Sequence, residues 1–246
     1  LGSRGLGDVY KRQSCWSITP SIGFCRRRFL STIFARRIRR SWPRSVRSGA
    51  KIYGMKGAII MGCITTYSGE AFNPAQPNPT KIHIADIAHA LSLLCRANGH
   101  FKQFYSVGQH CINCAMEAKA RGYGPHVQLA CLLHDASEAY LSDITRPVKE
   151  HLAVYLELEG RLQGAIYEKY LTTALSQDEW EWVKDIDNQL LLYEFQVLMP
   201  KQVFPQQAHI VGSLQMELLP FEQVQKQYLG LWRQLSQHGE KKGVGA

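Results

Sequence analysis

The sequence has no apolar run approaching the roughly eighteen residues that a membrane-spanning helix needs, so it offers no obvious span. Proline is scarce, at 10 of 246 residues, and aromatics make up 10%, which excludes a fibrous chain and argues against a disordered one. No internal repeat or low-complexity tract is visible. Cysteine occurs seven times, at 15, 25, 63, 95, 111, 114 and 131, an odd number with irregular spacing. The single C-x-x-C, Cys111 to Cys114, has no second pair, so neither a disulfide framework nor a paired zinc motif is present. These two cysteines are expected to act as small helix-packing residues. No secretory signal with an apolar core opens the chain, and free thiols in a reducing, intracellular setting are expected.

Acidic residues are nearly missing from one stretch. Residues 1–54 carry 13 of the 29 Lys and Arg and the single acid Asp8, a net +12. The remainder is therefore at −3 although the whole chain is at +9. The basic pI describes a leader and says nothing of the domain, so nucleic acid is not the expected partner. No Met precedes Met55, and the opening LGSRGLGDVYKRQ resembles translated adapter sequence. Residues 1–54 are expected to be a non-native or unstructured basic leader, either read-through or transit-like, and residues 55–246 to form the working domain. That predicts a cytoplasmic protein, or an organellar one if the leader is a genuine transit peptide.

The hydrophobic fraction of 45% is enough for one good core. Residues 63–80, CITTYSGEAFNPAQPNPT, place β-formers, Gly69 and an Asn/Pro cluster in order, which predicts a short hairpin or extended arm and then a loop. From Ile84 the period becomes helical: Ile84, Ile87, Ala88, Leu91, Leu94 and Cys95 line one face, with Gly99 as the stop. After a connector at 101–108, helices are predicted from Gln109 to Arg121 and from Pro125 into His134-Asp135. Others are predicted over 148–171, over 178–199 behind a capping signal at Ser176, and over 221–236. No strand is predicted beyond Pro79. The fold class is all-α, a helical bundle with a short N-terminal extended arm or hairpin. Trp180, Trp182, Tyr193 and Trp232 fall at helical spacing and are expected in the core or at an interface.

His134-Asp135 joins an imidazole and a carboxylate at one helix end, and both suit a borderline divalent cation. Glu138 follows on the same face, and Asp143 comes within the next turn and loop. His110 stands at the start of an earlier helix. Asp187 interrupts a later apolar run, with Asp185 as a rival that helical geometry would turn another way. One His, one His-Asp pair and one Asp from three helices would make a four-ligand site with room for water.

The order His110, His134-Asp135, Asp187 resembles the H…HD…D signature of the HD-domain metal-dependent phosphohydrolases. The block HDASEAYLSDITRPVK at 134–149 is similar to the YfbR-type 5′-deoxynucleotidases and to phage-encoded HD hydrolases. The phage-encoded group also shares ITTYSGEAFNP, IADIAHALSLLCRANGH and FYSVGQH within residues 64–110. The resemblance covers most of residues 63–200. It implies an HD-domain bundle with one divalent metal ion (Mn, Co, Fe, Ni or Zn) held by His110, His134, Asp135 and Asp187. Glu138 and Asp143 would be the acids beside the metal's water, and Lys149 and Arg96 would be substrate contacts. Where the nucleotidases carry Arg-Trp, this chain has Arg96-Ala97, so the pocket wall at the sugar differs. The implied activity is hydrolysis of a (deoxy)nucleoside 5′-monophosphate. The alternatives are another nucleotide phosphoester, such as a polyphosphate or cyclic dinucleotide, or a catalytically inactive nucleotide-binding protein. The expected partner is a small-molecule nucleotide, with a possible homodimer and no membrane.

Overall fold

The computed structural model describes residues 62–201 and 204–240, all within the unit Met61–Ala246. The basic leader predicted at 1–54 lies outside the described residues. The fold is all-α. Strands β1 (Ile64–Thr65) and β2 (Ala71–Phe72) form a two-stranded antiparallel hairpin, with Ile64 opposite Phe72, as the turn signals predict. Gly69 closes the hairpin at φ +87°, where L side chains are strained. Helices follow: α1 (Ile84–Leu93), α2 (Val107–Ala120), α3 (Pro125–Leu133), α4 (Glu138–Leu141), α5 (Arg146–Lys149), α6 (Ala153–Tyr170), α7 (Gln177–Leu198) and α8 (Phe221–Glu240). Among the described residues no helix is long and apolar enough to cross a membrane.

The core is built around α2 and α3, which pack on each other and are covered by α1, α7 and α8. In α3, Val127, Leu129, Ala130, Cys131, Leu132 and Leu133 are all buried, the mark of a central helix rather than a surface one. Leu132 and Leu133, at 0% exposure, each stabilise by about 1.5–3 kcal/mol on transfer from water. Gly108 sets the approach of α2 to its neighbours: a Cβ there would meet Leu91 O at 3.2 Å and Val224 Cγ1 at 3.1 Å.

Three predicted boundaries shift. The first helix ends at Leu93 instead of near Gly99. Leu94 turns extended, and the chain reverses through a bridge between Cys95 and Ser106, with Arg96 N–H donating to Tyr105 O at 2.9 Å. Gly99 closes a tight left-handed turn in which Ala97 (φ 51°) and Asn98 (φ 50°) also lie at positive φ. The helix predicted from Gln109 begins two residues earlier, because Ser106 caps it by accepting from Gln109 N–H at 3.1 Å. The predicted 148–171 helix is two: α5 and α6 are separated at Leu152, whose φ −113° and ψ 68° are not helical. The capping box at Ser176 forms as predicted, its hydroxyl accepting from Glu179 N–H and the Glu179 carboxylate accepting from Ser176 N–H. Trp180 and Trp182 are 43% and 38% exposed, so they are surface residues; Trp182 stacks on Tyr123 and Trp180 meets the edge of Tyr167.

After α7 the described residues 204–220 carry no helix or strand, and α2 holds them with a polar ladder. Gln109 Nε2 donates to Glu217 O, and Asn113 exchanges bonds with Gln215 at its N–H and its carbonyl. Glu117, at 0% exposure, accepts from Val211 N–H, Gly212 N–H and Arg121 Nε. The clamp needs Gly212, where a Cβ would meet Glu117 Oε2 at 3.2 Å.

Candidate metal centre

The end of α3 shows why His134 and Asp135 are so firmly placed. A helix leaves its last four carbonyls without intrahelical partners. Here each finds a side chain. Tyr167 Oη donates to Ala130 O, His134 Nδ1–H to Cys131 O at 2.8 Å, Tyr228 Oη to Leu132 O at 2.7 Å, and Gln163 Nε2 to Leu133 O at 2.8 Å. The chain then coils on through short-range bonds, Ala136 N–H to Leu133 O and Glu138 N–H to Asp135 O, each 3.0 Å. Bonds of that i to i+3 kind stack residues three apart, which brings Glu138 to the side of Asp135. The carbonyl end of α3 also carries partial negative charge, favourable to a cation.

The four predicted ligands come together from three helices. His110 Nε2 is 3.1 Å from His134 Nε2, 3.2 Å from Asp187 Oδ1 and 3.7 Å from Asp135 Oδ2. His134 Nε2 is 3.3 Å from Asp135 Oδ2 and 3.6 Å from Asp187 Oδ1. Asp185 points away, into an ion pair with Arg121 at 2.6 Å, so the helical-phase argument for Asp187 over its rival holds.

The tautomers give these distances their meaning. Glu194, fully buried, accepts from His110 Nδ1–H at 2.6 Å and from Arg96 Nε at 3.1 Å. Burial works against its charge, but Arg96 and His110 outweigh that and hold the carboxyl below its ordinary range. With both Nδ1 atoms committed as donors, to Glu194 and to Cys131 O, both Nε2 atoms present lone pairs. Two imidazole nitrogens and two carboxylate oxygens thus face one another across the gap, where Arg96 Nη1 already donates to Asp135 Oδ2 at 3.3 Å. A proton or a metal ion among them would balance the remaining charge. The first option explains the titration. Burial opposes charging of His110 and His134, yet the anionic groups around them raise both well above the ordinary histidine range.

A metal fits the donor set. Nitrogen and oxygen ligands lie about 2.0–2.2 Å from such an ion, so neighbouring ligand atoms around it are about 3–4 Å apart. The observed separations, 3.1 to 3.7 Å, fall in that interval. Groups of His, Cys and Asp side chains able to hold a metal ion are present: His110, Cys114 and His134 form one, and Cys111, His134 and Asp135 another.

Around the gap stand the other predicted residues. Glu138 is buried, and its Oε2 has no hydrogen-bond partner. Burial, reinforced by Asp135 and Asp143, raises its carboxyl well above the ordinary range against the pull of Lys149 and Arg96. Asp143 is likewise raised, by burial first, and feels the charges of Arg96, Asp135, Lys149 and His110. Lys149 Nζ is 2.7 Å from Glu159 and 3.4 Å from Glu138, lying over the Tyr155 ring. Arg96 is 8% exposed, with Nε on Glu194 and Nη1 on Asp135 at 3.3 Å. Both predicted substrate contacts are therefore engaged with carboxylates, and Arg96 ties a metal-site carboxylate to the Glu194 frame.

Two residues at the site are missing from the sequence-based set. Glu194 lies seven residues after Asp187, two turns along the same face of α7, and a carboxylate inside an apolar run was the signal for it. Arg146 bonds Asn188 Oδ1 through both terminal nitrogens at 3.2 Å and lies 3.7 Å from Asp187 Oδ2, with 40% of its side chain exposed. It places a guanidinium at the open side of the gap.

No family model matches the chain. Over 110 residues, 45% of the chain, it is 39% identical to the uncharacterized protein YfdR of Escherichia coli (strain K12), covering 59% of that protein. Over 109 residues, 42% of the chain, it is 38% identical to an uncharacterized protein of Rhodobacter capsulatus, covering 55% of it. The chain thus spans a little over half the length of these curated relatives.

Proposed function

We propose that the chain is a divalent-metal-dependent phosphohydrolase of the HD-domain kind, hydrolysing a (deoxy)nucleoside 5′-monophosphate to nucleoside and phosphate. The observation that carries the metal part is the opposition of His110 Nε2 and His134 Nε2 at 3.1 Å, with two carboxylates turned onto the same point. The likeness of residues 134–149 to the nucleotidases supports the substrate class.

His110, His134, Asp135 and Asp187 would hold the ion. A divalent cation in such a site brings the pKa of water toward neutrality and polarises a phosphoryl oxygen. Glu138 then has the features of the proton carrier: it is buried beside Asp135, its Oε2 is unpartnered, and burial raises its carboxyl above the ordinary carboxylate range. Lys149 steadies Glu138 from the side, and Glu159 steadies Lys149. Arg146 offers the half-exposed cation that a phosphate would meet, and Asp143 is the second acid at the mouth.

The test is phosphate release by metal-stripped protein from ribo- and deoxyribonucleoside mono-, di- and triphosphates and cyclic dinucleotides, each with Mn, Co, Mg or EDTA. Turnover confined to monophosphates and abolished by EDTA is expected. Turnover of polyphosphates or cyclic dinucleotides alone would keep the centre and overturn the substrate. No turnover with any metal would overturn the enzymatic reading.

A further inference from the structure

We propose that Glu194 is a positioning residue of the metal centre: it fixes His110 as the tautomer that offers Nε2 to the ion and, through Arg96, holds Asp135 in place. This rests on the metal reading above and adds what holds the ligands before an ion arrives.

Glu194 and Asp187 stand two turns apart on one face of α7, so a single helix supplies a candidate ligand and the support for two others. Glu194 is 0% exposed, and its two oxygens have different tasks. Oε1 accepts from His110 Nδ1–H at 2.6 Å, and Oε2 accepts from Arg96 Nε–H at 3.1 Å. The same guanidinium donates from Nη1 to Asp135 Oδ2 at 3.3 Å. One carboxylate thereby reaches one ligand directly and a second through one side chain.

Stability alone does not account for this arrangement. Replacing a buried ion pair by apolar side chains of similar volume is often neutral or stabilising. The turn that follows Arg96 is also strained. Ala97 sits at φ 51° and ψ 33°, the left-handed region that a residue with a β-carbon enters only at a cost. Such strain collects where a functional side chain has to be aimed.

A neutral imidazole has one N–H and one lone pair, and the hydrogen bond made at one nitrogen decides which of them the other presents. Without a full acceptor at Nδ1, His110 can carry its proton on Nε2 and put an N–H where a ligand atom has to be. Glu194→Gln tests this with almost no change of shape. The amide has one acceptor oxygen for two donors, His110 Nδ1–H and Arg96 Nε–H, and sets its NH2 against one of them.

The experiment titrates the metal-stripped full chain with Zn(II) by calorimetry and follows its fold by urea melts in EDTA. Glu194→Gln is expected to bind Zn at least about tenfold more weakly, as losing a group that orients a metal ligand does elsewhere. Arg96→Lys, which breaks the guanidinium fork but leaves Glu194 on His110, should lose less. Equal Zn affinity in Glu194→Gln and wild type, whatever the melts show, would overturn the proposal and leave the metal centre standing. A greater loss in Arg96→Lys than in Glu194→Gln would overturn it in favour of Arg96 acting on Asp135 alone. A wild-type chain that binds no Zn would overturn the metal centre and this proposal with it. Should Glu194→Gln fail to fold, the nitrogen-15 spectrum of the zinc-loaded wild type decides. His110 with a proton on Nδ1 that resists exchange is expected, and His110 ligating through Nδ1, or with no protected proton there, would overturn the assignment.

Discussion

One helix, α2, carries two buried polar clusters that obey opposite rules. On one side Gln109, Asn113 and Glu117 grip the returning chain at 211–217, and each side chain has partners of the complementary kind. On the other side His110 meets His134, Asp135 and Asp187, acceptor against acceptor. Burying polar groups is tolerable when hydrogen bonds replace water, and costly otherwise. The first cluster is therefore largely paired as a structure, with only Gln109 Oε1 left buried and without a partner, whereas the second sets acceptors together that shared protons or a cation would reconcile. The contrast separates what folds the chain from what would do chemistry in it, and each substitution below tests one side.

The largest effect is expected at Asp187. Asp187→Asn should cut turnover by at least about a thousandfold, as losing a transition-state-stabilising group does in other enzymes. It should also remove the metal-dependent rise in stability, which for the wild type is about 2.7 kcal/mol at a hundredfold excess over Kd. Thermal melts with EDTA and with metal, beside phosphate release, read both. A variant that still gains stability from metal would show that Asp187 is not a ligand.

Glu117→Ala should do the reverse. Removing a fully buried carboxylate leaves Arg121 Nε and two backbone N–H groups without their acceptor while Arg121 keeps Asp185, and each buried donor so stranded costs about 1–3 kcal/mol. The metal-dependent increment should persist. Urea melts in EDTA and in metal check it, and a metal increment lost together with the baseline would mean that the two clusters are coupled through α2.

The pH slope separates them further. His110 and His134 are raised in the metal-free fold, so their stabilising share is full below the ordinary histidine value of about 6.5 and is lost as pH climbs through the folded values. Glu138, also raised, adds to the loss in the same direction, beginning nearer the ordinary carboxylate range. Metal competes with those same protons, so its increment should grow with pH. Melts from pH 6 to 9 should therefore show metal-free stability falling while the metal-dependent gain rises, in wild type and Glu117→Ala alike. Parallel slopes with and without metal would sink the idea that proton and ion share one gap.

These contrasts also explain what the sequence could disclose. Apolar periodicity marks α1, α2, α7 and α8, because a helix that buries one face must repeat near 3.6 residues. The four candidate ligands were legible because His134-Asp135 is a local word and His110 and Asp187 are polar interruptions of apolar helices. Arg146 was not, since its role depends on a partner 42 residues distant, which spacing cannot see, and Glu194 showed only as a carboxylate inside an apolar run, its partner His110 lying 84 residues away. Asn113 and Glu117 were hidden for the same reason: their acceptors and donors are backbone groups of an irregular segment that carries no pattern. The thiols of the lone C-x-x-C, expected only to pack, stand against the two histidines, a placement that follows from the helical turn between His110 and Cys114 once His110 is known to face inward.

The smallest effect concerns strain. Ser142 ends α4 at φ 74° and ψ 155°, a region that suits glycine, and its N–H and carbonyl are held by Glu138 O at 2.8 Å and Tyr155 Oη at 2.7 Å. A non-glycine residue held there costs about 1–3 kcal/mol, part of which glycine's greater freedom in the unfolded chain would cancel. Ser142→Gly should thus stabilise the fold by about 1 kcal/mol in urea melts. The forced bend also delivers Asp143 to the mouth of the gap, where Arg96, Asp135 and Lys149 all act on it. Relaxing the bend should leave metal binding unchanged and lower kcat severalfold, because Asp143 is outside the ligand set but inside the site. Stabilisation with kcat intact would mean that the bend serves the fold alone and that Asp143 needs no such aiming.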